Sequence, residues 1–477
     1  AMKWKLFCVA LVGAISFARS AELFVGTSGG DHANLATALG AATSGDTITI
    51  RGGYSTPGAS VIIPNLTIRG ENNYNTNAND PGNLYNLNPS RGTESVVTSA
   101  IELPTTGGAN PDGTKILGLS FDFPVASGSD SAVRFSTHSG RAVNDVVISN
   151  NSFRSDSTAT YSWVGSGATQ LAAYGWADGM LIENNRMTNL PQGNASAMFV
   201  SGTDWTIKDN YINPSEGVPY ALATRGLNIN APIGNPAANL VLVGNVFHEF
   251  DRFAIQPNNY MSNVVMADNV FDSNGTDILN HYTLVGSNQL ISGNVMIDNI
   301  DASIEYYPGE TTHGMVSNMV LRQNEIGIDA TSGGAAGVFI GVRNSATGQG
   351  MLIENNQISL TGVANGGPTD ARSAIVLGGV DAGTRFDLLG TLTIQNNVLQ
   401  DTGLTGTSLS VGFLYYSNGT RTIAGLDLNA TNNLISGLDY GAFVYTDLLP
   451  GDSALLQNNN IQNNGTGVHG GIGGAGI

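Results

Sequence analysis

The sequence predicts an all-β solenoid in which about fourteen coils of three short strands stack into a rod. Three observations predict it: an eight-residue repeat occurs eleven times, successive copies lie 24 to 41 residues apart, and the composition is that of a turn-rich chain. Gly makes up 62 of 477 residues, whereas Asp, Glu, Lys and Arg together make up only 12%. Since Gly and Asn tolerate positive φ, this composition suits many strands joined by turns.

The repeat alternates apolar with other residues, places Asn sixth and ends on an apolar residue, as in VVISNNSF and MLIENNRM. The sixth-place residues are Asn151, Asn185, Asn210, Asn245, Asn269, Asn294, Asn324, Asn356, Asn397, Asn433 and Asn459. Alternation with period two predicts a short strand with one inward face. The smallest spacing is too short for a propeller blade or a strand-plus-helix unit, but it fits one coil of three strands and three turns.

Stacked coils bring equivalent positions about 4.8 Å apart. An Asn at one corner of every coil can then bond to the next Asn along the stack, because its amide both donates and accepts. We expect this internal Asn ladder at a single corner, with each Asn in a bridge or left-handed conformation.

The repeat and the segment that precedes it resemble right-handed parallel β-helix proteins of the pectate-lyase-like superfold. The entry segment AELFVGTSGGDHANLATALGAATSGDTITIRGG reads as a strand, a short helix around residues 34–42, a turn and the first coil. In that family such a helix caps the open end of the core. The resemblance covers about residues 22–465 and implies a glycan-interacting protein of the extracellular space.

The N-terminus predicts a secretory signal peptide over residues 1–20, followed by the β-helix domain over 21–465. Lys3 and Lys5 precede a thirteen-residue apolar run, which is too short for a membrane anchor. The single cysteine, Cys8, lies within this signal, so we expect no disulfide in the mature chain. Residues 466–477 are Gly-rich and predict a tail or the beginning of further chain. The expected location is secreted, extracellular or at the cell surface.

The charge excludes one class of partner. The formal net charge is −18 and the only Lys beyond the N-terminal signal are Lys115 and Lys208, so a nucleic-acid footprint is absent. We expect an extracellular polysaccharide or cell-surface glycan as partner and no span in the mature chain, while the oligomeric state stays open.

Ionisable residues concentrate between residues 248 and 329, after the inward residues that follow the ladder Asn. Enzymes of this superfold carry their catalytic groups on the outer face of one sheet and its flanking loops, and uronate lyases need a base and a neutralising cation or donor. The expected catalytic residues are Asp251, Arg252, His281 and Glu305. The expected ligands of a possible Ca²⁺ are Asp272, Asp277, Asp298 and Asp301. Ordinary turn chemistry and surface ion pairs are the alternative explanation.

Aromatic side chains supply the expected sugar contacts, because they combine a flat apolar face with a polar edge. Tyr282, Tyr306 and Tyr307 accompany the ionisable residues, and Trp163 and Trp176 lie in the loop-rich segment 154–178.

Two function classes remain open at this point. The first is a polysaccharide lyase or glycoside hydrolase acting on an extracellular glycan. The second is a non-catalytic adhesin, sheath or filament component, which the missing Asn-Thr-Asp, Asp-Asp and Gly-His-Gly series of polygalacturonases leaves possible. Fold alone does not decide between them. Ice or mineral binding through Thr arrays is a minor alternative, since TITI at 47–50 is not repeated.

Overall fold

The strands form three long parallel sheets that wind about one core. The computed structural model describes residues 20–71, 93–123, 131–135, 141–155, 162–166, 177–188, 196–214, 225–229, 237–250, 253–257, 261–274, 276–281, 285–299, 302–307, 315–329, 336–342, 346–364, 371–379, 386–406, 409–416, 426–445, 451, 453–462 and 465–471. Sheets 1, 2 and 3 contain 15, 14 and 13 strands. The chain visits them in that order, once per coil, and pairs each strand in parallel with its counterpart in the next coil.

The strands of sheet 1 are Glu22–Val25, Thr47–Ile50, Thr67–Gly70, Lys115–Leu117, Val147–Ser149, Leu181–Glu183, Thr206–Lys208, Ala237–Val243, Met261–Ala267, Val285–Ser292, Met315–Arg322, Ala346–Glu354, Phe386–Gln395, Leu426–Thr431 and Ser453–Gln457. Those of sheet 2 are Ser55–Thr56, Val96–Val97, Ser120–Phe123, Ser152–Ser155, Arg186–Thr188, Tyr211–Asn213, Val246–His248, Val270–Asp272, Val295–Asn299, Glu325–Asp329, Gln357–Ala364, Val398–Gly406, Leu434–Ser436 and Asn460–Gln462. Those of sheet 3 are Ile101–Leu103, Ser131–Phe135, Ser162–Ser166, Ser196–Val200, Arg225–Ile229, Phe253–Pro257, Thr276–His281, Ala302–Tyr307, Ala336–Val342, Ala371–Gly379, Leu409–Tyr416, Tyr440–Tyr445 and Thr466–Gly471. Val143–Asn144 and Ala177–Asp178 form a separate two-stranded sheet.

This arrangement is a parallel β-helix, and the predicted fold class is confirmed. The 14 strands of sheet 2 give the expected fourteen coils. At about 4.8 Å per coil the rod is roughly 65–70 Å long. The all-parallel pairing is consistent with the right-handed winding that strand–crossover–strand units adopt.

A short helix, Leu35–Ala41, packs at the first coils as expected from the entry segment. The Asn34 side chain accepts from the Thr37 backbone N–H at 2.9 Å, and Thr37 Oγ1 accepts from the Asn34 N–H, which completes a capping box. Leu35 and Ala38 are fully buried and belong to the core. The apolar side of the helix therefore joins the hydrophobic interior of the rod.

The interior consists of columns of like side chains. Inward residues of sheet 2 stack from coil to coil, with Phe121 on Phe153 at 4.7 Å and Phe247 on Phe271 at 5.1 Å between ring centroids. These rings are 0% exposed. The eighth position of the repeat is apolar because it fills this column.

The sixth-place Asn residues form one continuous ladder at the corner between sheets 1 and 2. Asn185 donates from both its backbone N and its Nδ2 to Asn210 Oδ1, at 3.0 and 2.9 Å. Asn210 makes the same two bonds to Asn245, at 3.1 and 2.9 Å. The pattern runs from Asn151 to Asn459, and every member but the last is at most 2% exposed. The ladder predicted from the sequence is thus confirmed.

Of the two conformations expected for the ladder Asn, bridge or left-handed, the left-handed one does not occur. The left-handed residue at the corner is the fifth of the repeat, not the ladder Asn: Asn150, Asn184 and Asp209 have φ of 58°, 55° and 56°, whereas no sixth-place Asn has positive φ. Asn, Asp and Gly dominate this fifth position because they adopt φ > 0 at low cost. The following Asn can then turn its amide inward.

A second ladder, which the sequence did not reveal, runs along the exposed corner between sheets 3 and 1. Asn263 Nδ2 donates to Asn239 Oδ1 at 3.0 Å, Asn288 to Asn263 at 2.9 Å and Asn318 to Asn288 at 3.0 Å. All four have φ of 54–56°. Two corners of the rod are therefore lined by amides, one buried and one in solvent.

The described chain ends in a hydrogen-bonded coil. Residues 466–471, which the sequence assigned to a tail or further chain, form a strand that pairs with Tyr440–Tyr445. The described residues include no helix that is long and apolar enough to span a membrane. The predicted signal, apart from Ser20, lies outside the described residues.

Candidate functional site

Sheet 3 places several predicted site residues side by side. In strands Thr276–His281 and Ala302–Tyr307, His281 pairs with Tyr307 and Leu279 with Glu305, while Tyr306 pairs with Asn280. Adjacent strands lie about 4.8 Å apart. The predicted base and acid and two predicted sugar contacts therefore belong to two neighbouring strands, although their side chains lie outside the described part.

Two further predicted residues lie on strands of the same sheet. The register puts Asp277 between Ala254 and Ser303, both 0% exposed. Trp163 belongs to the strand Ser162–Ser166 and not to a loop. The side chains of Asp277 and Trp163 also lie outside the described part.

Five further predicted site residues fall on positions that the structure does not describe. These are Asp251, Arg252, Asp301, Tyr282 and Trp176. Their roles stay predictions.

Asp272, expected to be a Ca²⁺ ligand, is engaged with its neighbours on the outer face of sheet 2. Its Oδ2 lies 3.1 Å from His248 Nδ1, and its Oδ1 accepts from Ser273 Oγ at 2.8 Å. The other imidazole nitrogen, Nε2, lies 3.4 Å from Glu249 Oε1. The imidazole is thus flanked by two carboxylates. Sequence reasoning did not identify His248 as a partner of Asp272.

Asp298, a second expected Ca²⁺ ligand, lies at the end of the neighbouring strand. Asp272 pairs with Ile297, so Asp298 follows one residue beyond that pair and adopts φ of 55° at the corner. Among the residues whose placement is described, no group of three or more His, Cys, Asp or Glu is arranged to hold a metal ion. Ca²⁺ binding stays a prediction.

A strip of polar and aromatic residues follows the outer face of sheet 3 toward these strands. We call Glu102, Arg134, Phe199, Asn228 and Gln256 the sheet 3 strip. The register links Glu102 to Arg134, Phe199 to Asn228 and Asn228 to Gln256, and the row then continues through Leu279 to Glu305. The strip spans the coils before the predicted site and runs along the rod axis.

The strip begins with an ion pair. Arg134 Nη2 contacts Glu102 Oε1, and Ser60 Oγ donates to Glu102 Oε2 at 2.7 Å. The Arg134 and Glu102 side chains are 28% and 31% exposed. They are accessible to solvent, so a ligand carboxylate could exchange with Glu102 at the guanidinium.

The far end of the strip holds buried amides. Asn228 and Gln256 are 6% and 4% exposed, although inward-facing Leu227 and Ile255 next to them show that their own positions face outward. Gln256 Oε1 is buried and has no hydrogen-bond partner among the residues that the structure describes. An unpaired buried acceptor costs about 1–3 kcal/mol, so a donor that reached it would be bound favourably.

Sequence reasoning missed this strip because the residues share no spacing from the ladder Asn. The sheet 3 strands begin after connections of different length, and only the strand pairing aligns them. A row of outward polar residues on sheet 3 could have been found only if that pairing had been known.

Comparisons with known proteins give a fold likeness and no family. No protein-family model matches the chain, and no curated protein matches its sequence. Among solved structures, it is similar to the surface adhesin PfbA of Streptococcus pneumoniae, with 12% identity over 81% of this chain and 86% of that chain and a TM-score of 0.46. It is also similar to a PL6 alginate lyase in complex with a trisaccharide, with 14% identity over 95% and 86% of the two chains and a TM-score of 0.42. A tailspike protein of the E. coli bacteriophage HK620, in complex with a pentasaccharide, matches at 13% identity over 87% and 72%, with a TM-score of 0.39. At these values the likeness carries no information on activity, and the assignment of the fold depends on the strand pairing itself.

Proposed function

We propose that this chain is an extracellular glycan-interacting β-helix protein that binds a polysaccharide lengthwise along the outer face of sheet 3. The observation that carries the proposal is the sheet 3 strip, which combines a guanidinium, an aromatic ring and two amides in one row. These groups are the ones that recognise sugars, through stacking and directed hydrogen bonds. The row leads directly to the strands that carry His281, Glu305, Tyr306 and Tyr307.

We further propose that the protein is a lyase- or hydrolase-type enzyme. In a lyase reaction His281 or Arg252 would take the proton next to the sugar carboxylate. In a hydrolase, Glu305 and Asp251 would act as the pair of carboxyl groups. A Ca²⁺ held by Asp272, Asp277, Asp298 and Asp301 would neutralise the carboxylate of a uronate substrate. Arg134 supplies a protein cation for the same purpose further along the row.

A non-catalytic role is the second candidate, and one observation favours it. Two described ion pairs, Arg134 with Glu102 and Asp272 with His248, resemble the structural ion pairs of a rod surface. A binding platform without turnover needs nothing more than the aromatic and amide groups.

The test combines binding with turnover. Acidic and neutral polysaccharides are incubated with the protein, with and without Ca²⁺, and unsaturated products and new reducing ends are measured beside affinity for the immobilised glycans. We expect binding to at least one glycan, and Phe199→Ala to weaken it about two- to tenfold through loss of stacking. Gln256→Leu removes the open acceptor and should weaken it similarly.

Controls separate the two candidates. Thr393→Ala, on the outer face of sheet 1, should leave binding unchanged. Turnover that is lost in His281→Ala or Arg252→Ala supports the enzyme, whereas binding without turnover supports the platform. Absence of binding to a broad panel would contradict both.

A further inference from the structure

The outer face of sheet 1 carries a row of side chains that are aliphatic in seven of eight consecutive strands. We define the apolar stripe as Val147, Leu181, Thr206, Val241, Val265, Leu290, Val320 and Leu352, which pair in register across eight consecutive strands. All eight are partly exposed. They occupy the second position of the repeat. This position faces outward, and on a sheet face in contact with water a polar side chain is the usual choice.

The stripe has definite ends. The same row has exposed Lys115 on the strand before it, and Thr393 and Asn429 on the strands after it. Within this row, apolar side chains therefore occupy seven of eight adjacent coils, with Thr206 as the exception, and the next one, Leu455, follows only after Thr393 and Asn429. Single exposed aliphatic residues are common on soluble proteins, whereas a contiguous row marks an interaction surface.

The surroundings of the stripe are almost free of charge in the four coils of Val241, Val265, Leu290 and Val320, whereas the Thr206 coil before them carries Asp204 and Lys208. One flank is the exposed amide ladder of Asn239, Asn263, Asn288 and Asn318. The other flank carries Val243, Ala267, Ser292 and Arg322, of which only Arg322 is charged. In a chain of net charge −18 this is a face on which a like-charged molecule can approach without strong repulsion.

We propose that the apolar stripe is the interface of a reversible homodimer, in which the stripes of two copies of this chain pack face to face. Two identical stripes have the same repeat of about 4.8 Å, so their side chains interdigitate over the full length. The isologous contact also closes on itself and leaves no free stripe. A sugar chain fits the surface less well, because no residue of the stripe is aromatic.

The dimensions match a weak dimer. Eight strands span roughly 34 Å, and the five residues from the amide ladder to the far flank span roughly 17 Å. The footprint is then about 550 Å² per copy, or about 1,100 Å² in total. This lies just above the roughly 1,000 Å² of a specific interface and below the standard size, so the dimer should depend on concentration.

Sedimentation equilibrium of the purified chain between about 1 and 100 µM tests the proposal. The weight-average mass should rise toward that of two chains over this range. The double variant Val265→Lys and Leu290→Lys places like charges in the middle of the contact and should remain monomeric. The milder pair Val265→Thr and Leu290→Thr keeps β-branched or similar-sized side chains on the sheet and should weaken the dimer at least about fivefold.

The matched control is Asn429→Lys, in the same outward row but beyond the stripe, which should dimerise like the unmodified chain. Circular dichroism verifies that each variant is folded. The proposal is overturned if the unmodified chain stays monomeric at 100 µM, or if both double variants dimerise as it does. Saturable binding of a polysaccharide to a monomer, lost in the Thr pair, would also overturn it.

Discussion

Two kinds of connection in each coil differ in length. The corner between sheets 1 and 2 keeps a nearly constant number of residues, whereas the connections that lead to sheet 3 vary from coil to coil. At the first corner, two residues separate the strands in every coil that carries a ladder Asn: Glu183 from Arg186 and Lys208 from Tyr211, for example. On the way to sheet 3 the connections change from coil to coil, as between Thr188 and Ser196 or Asp272 and Thr276. Ladder partners are consequently 24 to 41 residues apart along the chain.

Within one coil, the corner of constant length maintains the fold, whereas the connections of variable length lie next to the candidate functional site. The uniform corner aligns each coil on the previous one through hydrogen bonds that no other side chain can make. The variable connections surround sheet 3, where the strip and the predicted site lie, because insertions there do not disturb the ladder. Substitutions should therefore be costly at the first corner and tolerated at the others.

The largest effect is expected at the buried ladder. Asn245→Leu removes the Oδ1 that accepts from both Asn210 N and Asn210 Nδ2, at 3.1 and 2.9 Å. The buried Asn210 backbone N–H loses its acceptor and Ile207 O loses the bond from Asn245 Nδ2, whereas Asn210 Nδ2 keeps its bonds to Ile182 O and Lys208 O. We therefore expect a loss of about 3–5 kcal/mol in the free energy of unfolding. Urea denaturation measures it.

Asn263→Gly is the control for that variant. It keeps φ > 0 accessible and removes only the two solvent-exposed bonds that Asn263 makes with Asn239 and Asn288, so it should cost less than about 1 kcal/mol. Equal losses in the two variants would contradict the distinction between the corners.

The next effect is expected in the core column. Phe271→Ala removes a ring stacked on Phe247 at 5.1 Å and should cost about 3–4 kcal/mol, because the cavity lies between coils that cannot collapse. Val270→Ala, one residue earlier and on the outer face, should cost less than about 1 kcal/mol. Thermal unfolding of the pair compares them, and a smaller shift for Phe271→Ala would refute the inward assignment.

A smaller effect is expected at the fifth position of the repeat. Asn355 has φ of 55°, so Asn355→Val forces a β-branched residue into the left-handed region at a cost of about 1–2 kcal/mol. Asn355→Gly should be neutral within about 0.5 kcal/mol. If the two variants had the same denaturation midpoint, the backbone at this corner would not be left-handed.

The smallest effect is expected in the dependence of folding stability on acidic pH. The pKa of the buried Asp46 carboxyl is lowered from 3.8, first by the hydrogen bond from the Thr43 backbone N–H and also by that from Ala21 N–H. The pKa of Asp46 is lower in the folded state than in the unfolded state. Its contribution to the free energy of unfolding is therefore complete above pH 3.8 and is lost as the pH falls through the folded-state pKa. Asp46→Asn should cost about 1 kcal/mol at neutral pH and weaken the acid dependence of unfolding. A variant with an unchanged pH profile would contradict this assignment.

The sequence sufficed for the features that recur in every coil. The Asn at position six predicted the ladder from Asn151 to Asn459. When every coil carries an Asn at the same place, each amide lies next to the amide of the following coil and bonds to it. The capping helix followed from Asn34 and the Ala- and Leu-rich residues after it. The sequence left a bridge or a left-handed conformation open for the ladder Asn and did not identify the fifth position as the left-handed one, since both Asn and its predecessor have turn-forming side chains.

Features that depend on the variable connections could not be predicted. The sheet 3 strip aligns Phe199, Asn228 and Gln256 only through strand register, and their distances from the ladder Asn differ. His248 was near Asp272 in the predicted cluster, but the approach of Nδ1 to Oδ2 depends on the pairing of two strands. The apolar stripe escaped notice because the second position of the repeat was treated as unrestricted.

A double-mutant cycle between Asn210 and Asn245 tests the ladder most directly. These residues are 35 positions apart in the sequence and bonded to each other in the structure. We predict a coupling free energy of about 1–3 kcal/mol for Asn210→Leu combined with Asn245→Leu, and none beyond about 0.5 kcal/mol for Asn151→Leu combined with Asn433→Leu. Additive losses for Asn210 and Asn245 would contradict a shared column of amides and the coil stacking that follows from it.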